Sequence, residues 1–283
     1  MKFTSISLAT SIAIVSIYTL VNFSTIDATL ASITSLPSNN LISLNQADDL
    51  LPKQKNGKWG YVDSNNVQKI KFIYDGASYF NEGLAEVKIG SKYGFINSQG
   101  KQVIPAKYDY VSYFNNGLVM VTLNDKNGFI NRTGKVIIPI QYDSIESWSE
   151  KANPIALVKR QEKYGYIDLT GKVVIPLKFS SAGSFSDQDL AWVSLDNKYG
   201  YIDKTGKQVI AFNFDEAKAF FEGLAPVKIG EKWGYIDTTG KQLIKPQFEE
   251  VEDFKFGLAI VKLDGKSIYI NKAGKTIWAG ESR

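Results

Sequence analysis

The sequence contains no cysteine, no histidine, only two methionines and, in 283 residues, only three arginines: Arg132, Arg160 and Arg283. The first two absences exclude disulfides, a thiol nucleophile, a lipid-modified cysteine anchor, Cys/His zinc sites, Ser-His-Asp triads and every mechanism that uses an imidazole. Scarce arginine removes the side chain best suited to bidentate phosphate recognition. A formal charge of +4 is too small an excess to name nucleic acid as a partner. The chemistry that survives is that of carboxylates, lysine, tyrosine and serine, oxygen-ligated metals such as calcium, or none. With 44% hydrophobic and 13% aromatic residues, the chain has the composition of a folding protein rather than a disordered tail.

Lys2 is followed by an apolar stretch from Ile6 to Phe23 with no charged residue, then by Asp27 and the small residues around Ala28 and Ala31. This order reads as a secretory signal over residues 1–31. The stretch is about as long as the ~17 residues that just span a bilayer, so an uncleaved anchor is the alternative. Residues 32–49, with Ser, Asn and Pro37, read as a linker. Residues 50–283 are then expected outside the cell, secreted, periplasmic or on the surface, and folded without disulfide support.

An internal repeat governs this remainder. Lys58-Trp-Gly-Tyr-Val-Asp63 returns with variations at Lys92, Lys126, Lys163, Lys198, Lys232 and Lys266, at separations of 34, 34, 37, 35, 34 and 34 residues. Gly-Lys follows three residues after the Asp or Asn in six of the seven copies. Ile-Pro-x-x-aromatic-Asp (Ile104 to Asp109, Ile138 to Asp143) and Phe-x-x-Gly-Leu-Ala-x-Val-Lys (Phe80 to Lys88, Phe254 to Lys262) recur with them.

Each of these elements reads as a strand. Leu84, Glu86 and Lys88 alternate with Ala85, Val87 and Ile89, and Tyr, Phe, Ile and Val crowd the Lys-aromatic-Gly-aromatic-Ile segment. Gly90-Ser91 and Asp264-Gly265 have hairpin composition, and Asn97 to Gly100 and Asp237 to Gly240 have that of an Asx-opened, Gly-closed turn. Pro105 and Pro139 fit a third strand only at an edge, a strand start or a bulge. The prediction is an all-β array of about seven three-stranded meanders, with a closed seven-bladed ring as the alternative to an open twisted stack.

In Trp59-Gly60-Tyr61-Val62 the aromatics point one way and Gly60 and Val62 the other, so both faces are apolar and each meander should lie between neighbours. The bare Cα of the glycine is read as admitting a side chain from the adjacent unit.

The string Lys-Trp-Gly-Tyr-Ile-Asp-x-x-Gly-Lys, complete at Lys232 to Lys241, resembles the bacterial WG-repeat, or KWG, family over about residues 50–283. Trp is literal only at Trp59 and Trp233, and the last copy also lacks the glycine. The resemblance implies a repeat fold and carries over no catalytic residues.

Four features are candidates for function. Lys58, Lys92, Lys126, Lys163, Lys198, Lys232 and Lys266 would form a ladder able to attract an anionic protein, glycan or lipid surface; the competing reading pairs them with Asp109, Asp143, Asp215 or Glu249. Trp59, Trp148, Trp192, Trp233 and Trp278 could each offer a flat ring to a sugar; those in the motif, Trp59 and Trp233, read as core, whereas Trp148 and Trp192 fall outside the repeated aromatic-Gly position and are the preferred contacts for a sugar or protein. The Asp/Asn residues read as turn formers rather than calcium ligands, since Asn97, Asn131 and Asn271 replace Asp. Carboxylate pairs such as Glu249 with Glu250, or Asp187 with Asp189, leave a glycan-processing enzyme as a minor alternative.

The sequence therefore predicts a non-catalytic exported scaffold that recognises a protein or glycan of the cell envelope without a cofactor. A structural spacer without a selective ligand is the second reading. Membrane contact is expected only through an uncleaved N-terminal segment.

Overall fold

The computed structural model describes residues 50–146 and 154–279, all within one compact unit. The expected signal or anchor (1–31), the linker (32–49) and Trp148 lie outside the described residues. Every regular element among the described residues is a β-strand, and the strands form seven antiparallel sheets over 51–74, 76–108, 110–142, 144–179, 181–214, 216–248 and 250–279. In sheet 2, Gly76–Ala77, Ala85–Ile89, Lys92–Ile96 and Gln102–Tyr108 lie side by side in chain order. The three expected strands are present in every sheet. Six sheets also have a two-residue lead strand, which is too short to show an alternation in the sequence.

Local chemistry fixes the turns. Asn97 Oδ1 accepts the Gln99 and Lys101 N–H groups at 3.1 and 2.9 Å, and the same double acceptance recurs at Asp63, Asn131, Asp168, Asp203, Asp237 and Asn271. Because carboxylate and amide oxygens both serve as this acceptor, Asp and Asn interchange freely here. Gly100 closes its turn at φ +74°; in the first copy, which lacks the glycine, Asn66 takes the place at φ +63°.

The glycine of the repeated motif has a different role from the expected one. A Cβ on Gly94 would stand 2.5 Å from the Ile104 carbonyl oxygen and 2.6 Å from the Ala106 nitrogen, which are backbone atoms of its own sheet, not a neighbour's side chain. Pairing steps from Tyr93–Tyr108 to Phe95–Ile104, so the third strand bulges by two residues across the glycine, and Pro105 sits in that bulge. The last copy provides a natural control. Ile268 replaces the glycine, and the pairs Ile268–Ala279 and Tyr269–Trp278 run in register across it.

The two faces of each sheet differ in size and fit each other. Tyr61, Ile70 and Tyr74 of sheet 1 pack on Ala85, Val87 and Ile96 of sheet 2, and the large-on-small arrangement repeats at all six interfaces. The turn glycine joins this contact: a Cβ on Gly100 would stand 3.1 Å from Ile70, in the preceding sheet. At about 1.5–3 kcal/mol per fully buried large apolar side chain, each sheet draws its stability from both neighbours.

The array is open. The first sheet contains only strands from 51–74 and the last only strands from 250–279. Leu51 is 45% exposed where its counterpart Ala85 is 0% exposed, and Lys53 replaces the buried Val87. A charged side chain in the middle of the first small face stops a further sheet from packing there.

Candidate functional site

The lysine ladder is largely engaged inside the array. Lys58 Nζ lies 2.6 Å from Asp75 Oδ1 and Lys198 Nζ 2.6 Å from Asp215 Oδ1; Lys92 and Lys126 pair with Asp109 and Asp143, and Lys232 reaches Glu249 at 3.8 Å. The second carboxylate oxygen binds the next sheet: Asp75 accepts the Gly90 N–H, Asp215 the Gly230 N–H, and Glu249 the Gly265 N–H. Hydrogen bonds from the lysines hold the four aspartates below the usual carboxylate range. Lys163 and Lys266 have no ion-pair partner among the described residues; Ser180 occupies the acid position that would serve Lys163. The ladder is thus mainly a set of ties between sheets.

Trp192 is partly buried, lies over Gly183 and stands 5.8 Å from the Tyr199 ring. In repeat register Trp148 aligns with Phe80, Phe114, Phe185, Phe220 and Phe254. Those phenylalanines pair with the second motif aromatic of the preceding unit, as in Tyr61–Phe80 at 5.0 Å and Tyr235–Phe254 at 4.9 Å.

A groove of about 270 Å³ lies between the loops that open sheets 2 and 3, and its lining departs from the repeat. Phe95, Phe114 and Leu84 form its buried apolar base, and Tyr79 and Tyr113, 68% and 75% exposed, belong to its lining. Equivalent loop positions in later units hold Ser184, Ala219 and Asp253, so the two tyrosines are specific to these adjacent units.

Glu86 also lines the groove. It is cross-strand partner to Phe95, a register that holds Pro52, Met120, Leu157, Trp192, Pro226 and Ile260 in the other sheets. Six apolar residues and one acid mark that acid as an exception. Desolvation pushes the half-buried carboxyl above its ordinary range, and it has no hydrogen-bond or ion-pair partner among the described residues.

The walls are held in place. Asn81 Nδ2 donates to the Phe114 carbonyl at 2.7 Å, and Glu82 Oε2 accepts the Gly117 N–H at 2.9 Å and Arg132 Nε at 3.0 Å. These bonds tie the two loops together. Ser78 and Ser112 are occupied as acceptors for the Glu86 and Met120 N–H groups. Neither the tyrosines nor Glu86 were singled out from the sequence; reading each repeat position across all seven units is the signal that finds them.

The family model described as "WG containing repeat" matches residues 59–93, 93–126, 128–164, 164–199, 199–233 and 233–266. The chain belongs to the WG-repeat family. The six matches together run from residue 59 to residue 266, across most of the described sheets, and leave the first strand, Leu51–Lys55, and the last, Thr276–Ala279, outside them. A search of curated proteins finds no match. Among solved structures, the chain is similar to a eukaryotic initiation factor at 11% identity and TM-score 0.46, covering 81% of this chain and 73% of that one. It is similar to the extracellular domain of a putative one-component system, BT4673, from B. thetaiotaomicron at 10% identity and TM-score 0.38, covering 81% of this chain and 40% of that one. PorZ, a surface component of the type-IX secretion system of Porphyromonas gingivalis, gives 9% identity and TM-score 0.34, covering 84% of this chain and 37% of that one. At such identities and scores these likenesses lend the chain no function.

Proposed function

We propose that this WG-repeat protein is an exported, non-catalytic scaffold whose open array of sheets presents a rigid groove to a glycan of the cell envelope. The observation that carries the reading is the convergence of Tyr79, Tyr113 and Glu86, each a departure from the repeat, on one tied groove. Exposed aromatic rings on a rigid support suit the flat apolar face of a sugar at low entropic cost. A single carboxylate lines the groove, whereas glycoside hydrolysis ordinarily uses two. Export rests on the apolar N-terminal stretch.

The test is capture of isolated envelope polysaccharide by the immobilised chain. Saturable capture that is lost in the Tyr79→Ala/Tyr113→Ala double variant supports the scaffold. Absence of capture supports a spacer without a selective ligand. N-terminal sequencing of the protein recovered outside the cell checks export and distinguishes a cleaved segment from an anchor.

A further inference from the structure

Within the glycan-binding reading, we infer that the groove selects a sugar carrying a protonated amine, with Glu86 as its counter-charge and Tyr79 and Tyr113 against its ring. This inference rests on that reading and narrows its ligand.

A carboxylate drawn halfway into an apolar groove is costly unless a cation or several donors meet it. Glu86 has no such partner among the described residues, and no basic residue lines the groove. The nearby acid Glu82 is already taken by Arg132 and the Gly117 N–H, so Glu86 is the carboxylate left to bind a ligand. The other six units show that the fold accepts an apolar side chain at this register, so the acid is not required for packing.

The missing cation is therefore assigned to the ligand. An ammonium group beside aromatic rings gains cation–π attraction in addition to the ion pair, while an acidic sugar would meet Glu86 with like charge. The size of the groove sets a further limit. At about 270 Å³ it falls just below the range of roughly 300–1,000 Å³ typical of pockets that enclose a drug-sized ligand, which suits one sugar residue of a longer chain.

The experiment is calorimetric titration of the full chain with three probes at matched ionic strength: a fully deacetylated glucosamine tetramer, its N-acetylated counterpart and a tetralysine peptide. The glucosamine tetramer is expected to bind at least about tenfold more tightly than the other two, and Glu86→Gln to remove about tenfold of that affinity, as befits loss of a charge-assisted hydrogen bond. Glu86→Met, which copies the residue type found at Met120 in the next unit, should fold like the parent and lose the same preference, which separates recognition from folding. Equal affinity for the acetylated tetramer would overturn amine recognition and leave glycan binding standing. Equal affinity for tetralysine would overturn the assignment to a sugar in favour of a basic protein segment. Binding of none of the probes would overturn the inference, and polysaccharide capture lost in the tyrosine double variant would then show that the broader reading survives.

Discussion

Lys58 Nζ stands 2.6 Å from Asp75 Oδ1, and the other oxygen of that carboxylate takes the Gly90 N–H of the following sheet at 2.7 Å. One acid thus joins a lysine of its own unit to the hairpin of the next. Where that geometry recurs, charge and sheet stacking are coupled.

This coupling sets the pH response. Asp75, Asp109, Asp143 and Asp215 are held below their ordinary value of 3.8, first by lysine hydrogen bonds. A carboxyl with a lowered native pKa binds protons more readily in the unfolded chain, so its contribution is complete above the ordinary value and is lost as pH falls through the native one. Glu86 and Asp253, raised by burial, act in the opposite sense but are fewer. The urea midpoint should hold steady from about pH 5 to 8 and fall below about pH 4, and Asp215→Asn should lessen that acid loss. A midpoint that rises on acidification contradicts this coupling.

The motif glycine gives a second prediction. Gly94→Ala places a methyl group against the backbone of the bulged third strand, which cannot swing away as a side chain can. Urea unfolding should show a loss of about 1–3 kcal/mol, the cost of overpacking, toward the upper end because the obstruction is backbone. Gly200→Ala, whose Cβ would meet the Ile210 carbonyl oxygen at 2.7 Å, should behave alike.

Strain in a hairpin gives the third. Gln161 and Glu162 occupy φ +51° and +58°, conformations that favour Asn and Gly. Glu162→Gly gives up an exposed ion pair with Lys159 that is worth little, and it relieves roughly 1 kcal/mol of left-handed strain. The variant should melt at a higher temperature than the parent; a lower melting temperature would show that the turn is not strained.

Much of the fold was legible because the repeat writes its rules seven times. Alternation around Gly60 reveals two apolar faces, the Asp/Asn exchange at Asn97 and Asp237 reveals a turn acceptor, and the acids after the third strand offer the lysines their partners. What stayed hidden lies below the reach of periodicity. A two-residue strand such as Gly76–Ala77 has no alternation to read, and nothing local shows that Gly94 faces the backbone of its own sheet rather than a neighbour. Trp148 and Trp192 drew attention as large aromatics outside the motif. Tyr79, Tyr113 and Glu86 are common residue types whose significance appears only once the groove brings them together and each is compared with its counterparts.

The central claim is that neighbouring sheets fold only against each other, which is what makes the groove between two of them rigid. Circular dichroism of a synthetic peptide spanning residues 181–214, one complete sheet, tests it most directly. The expected result is a disordered, monomeric peptide without a cooperative melting transition. A strand-rich monomer that melts cooperatively by itself would contradict the claim.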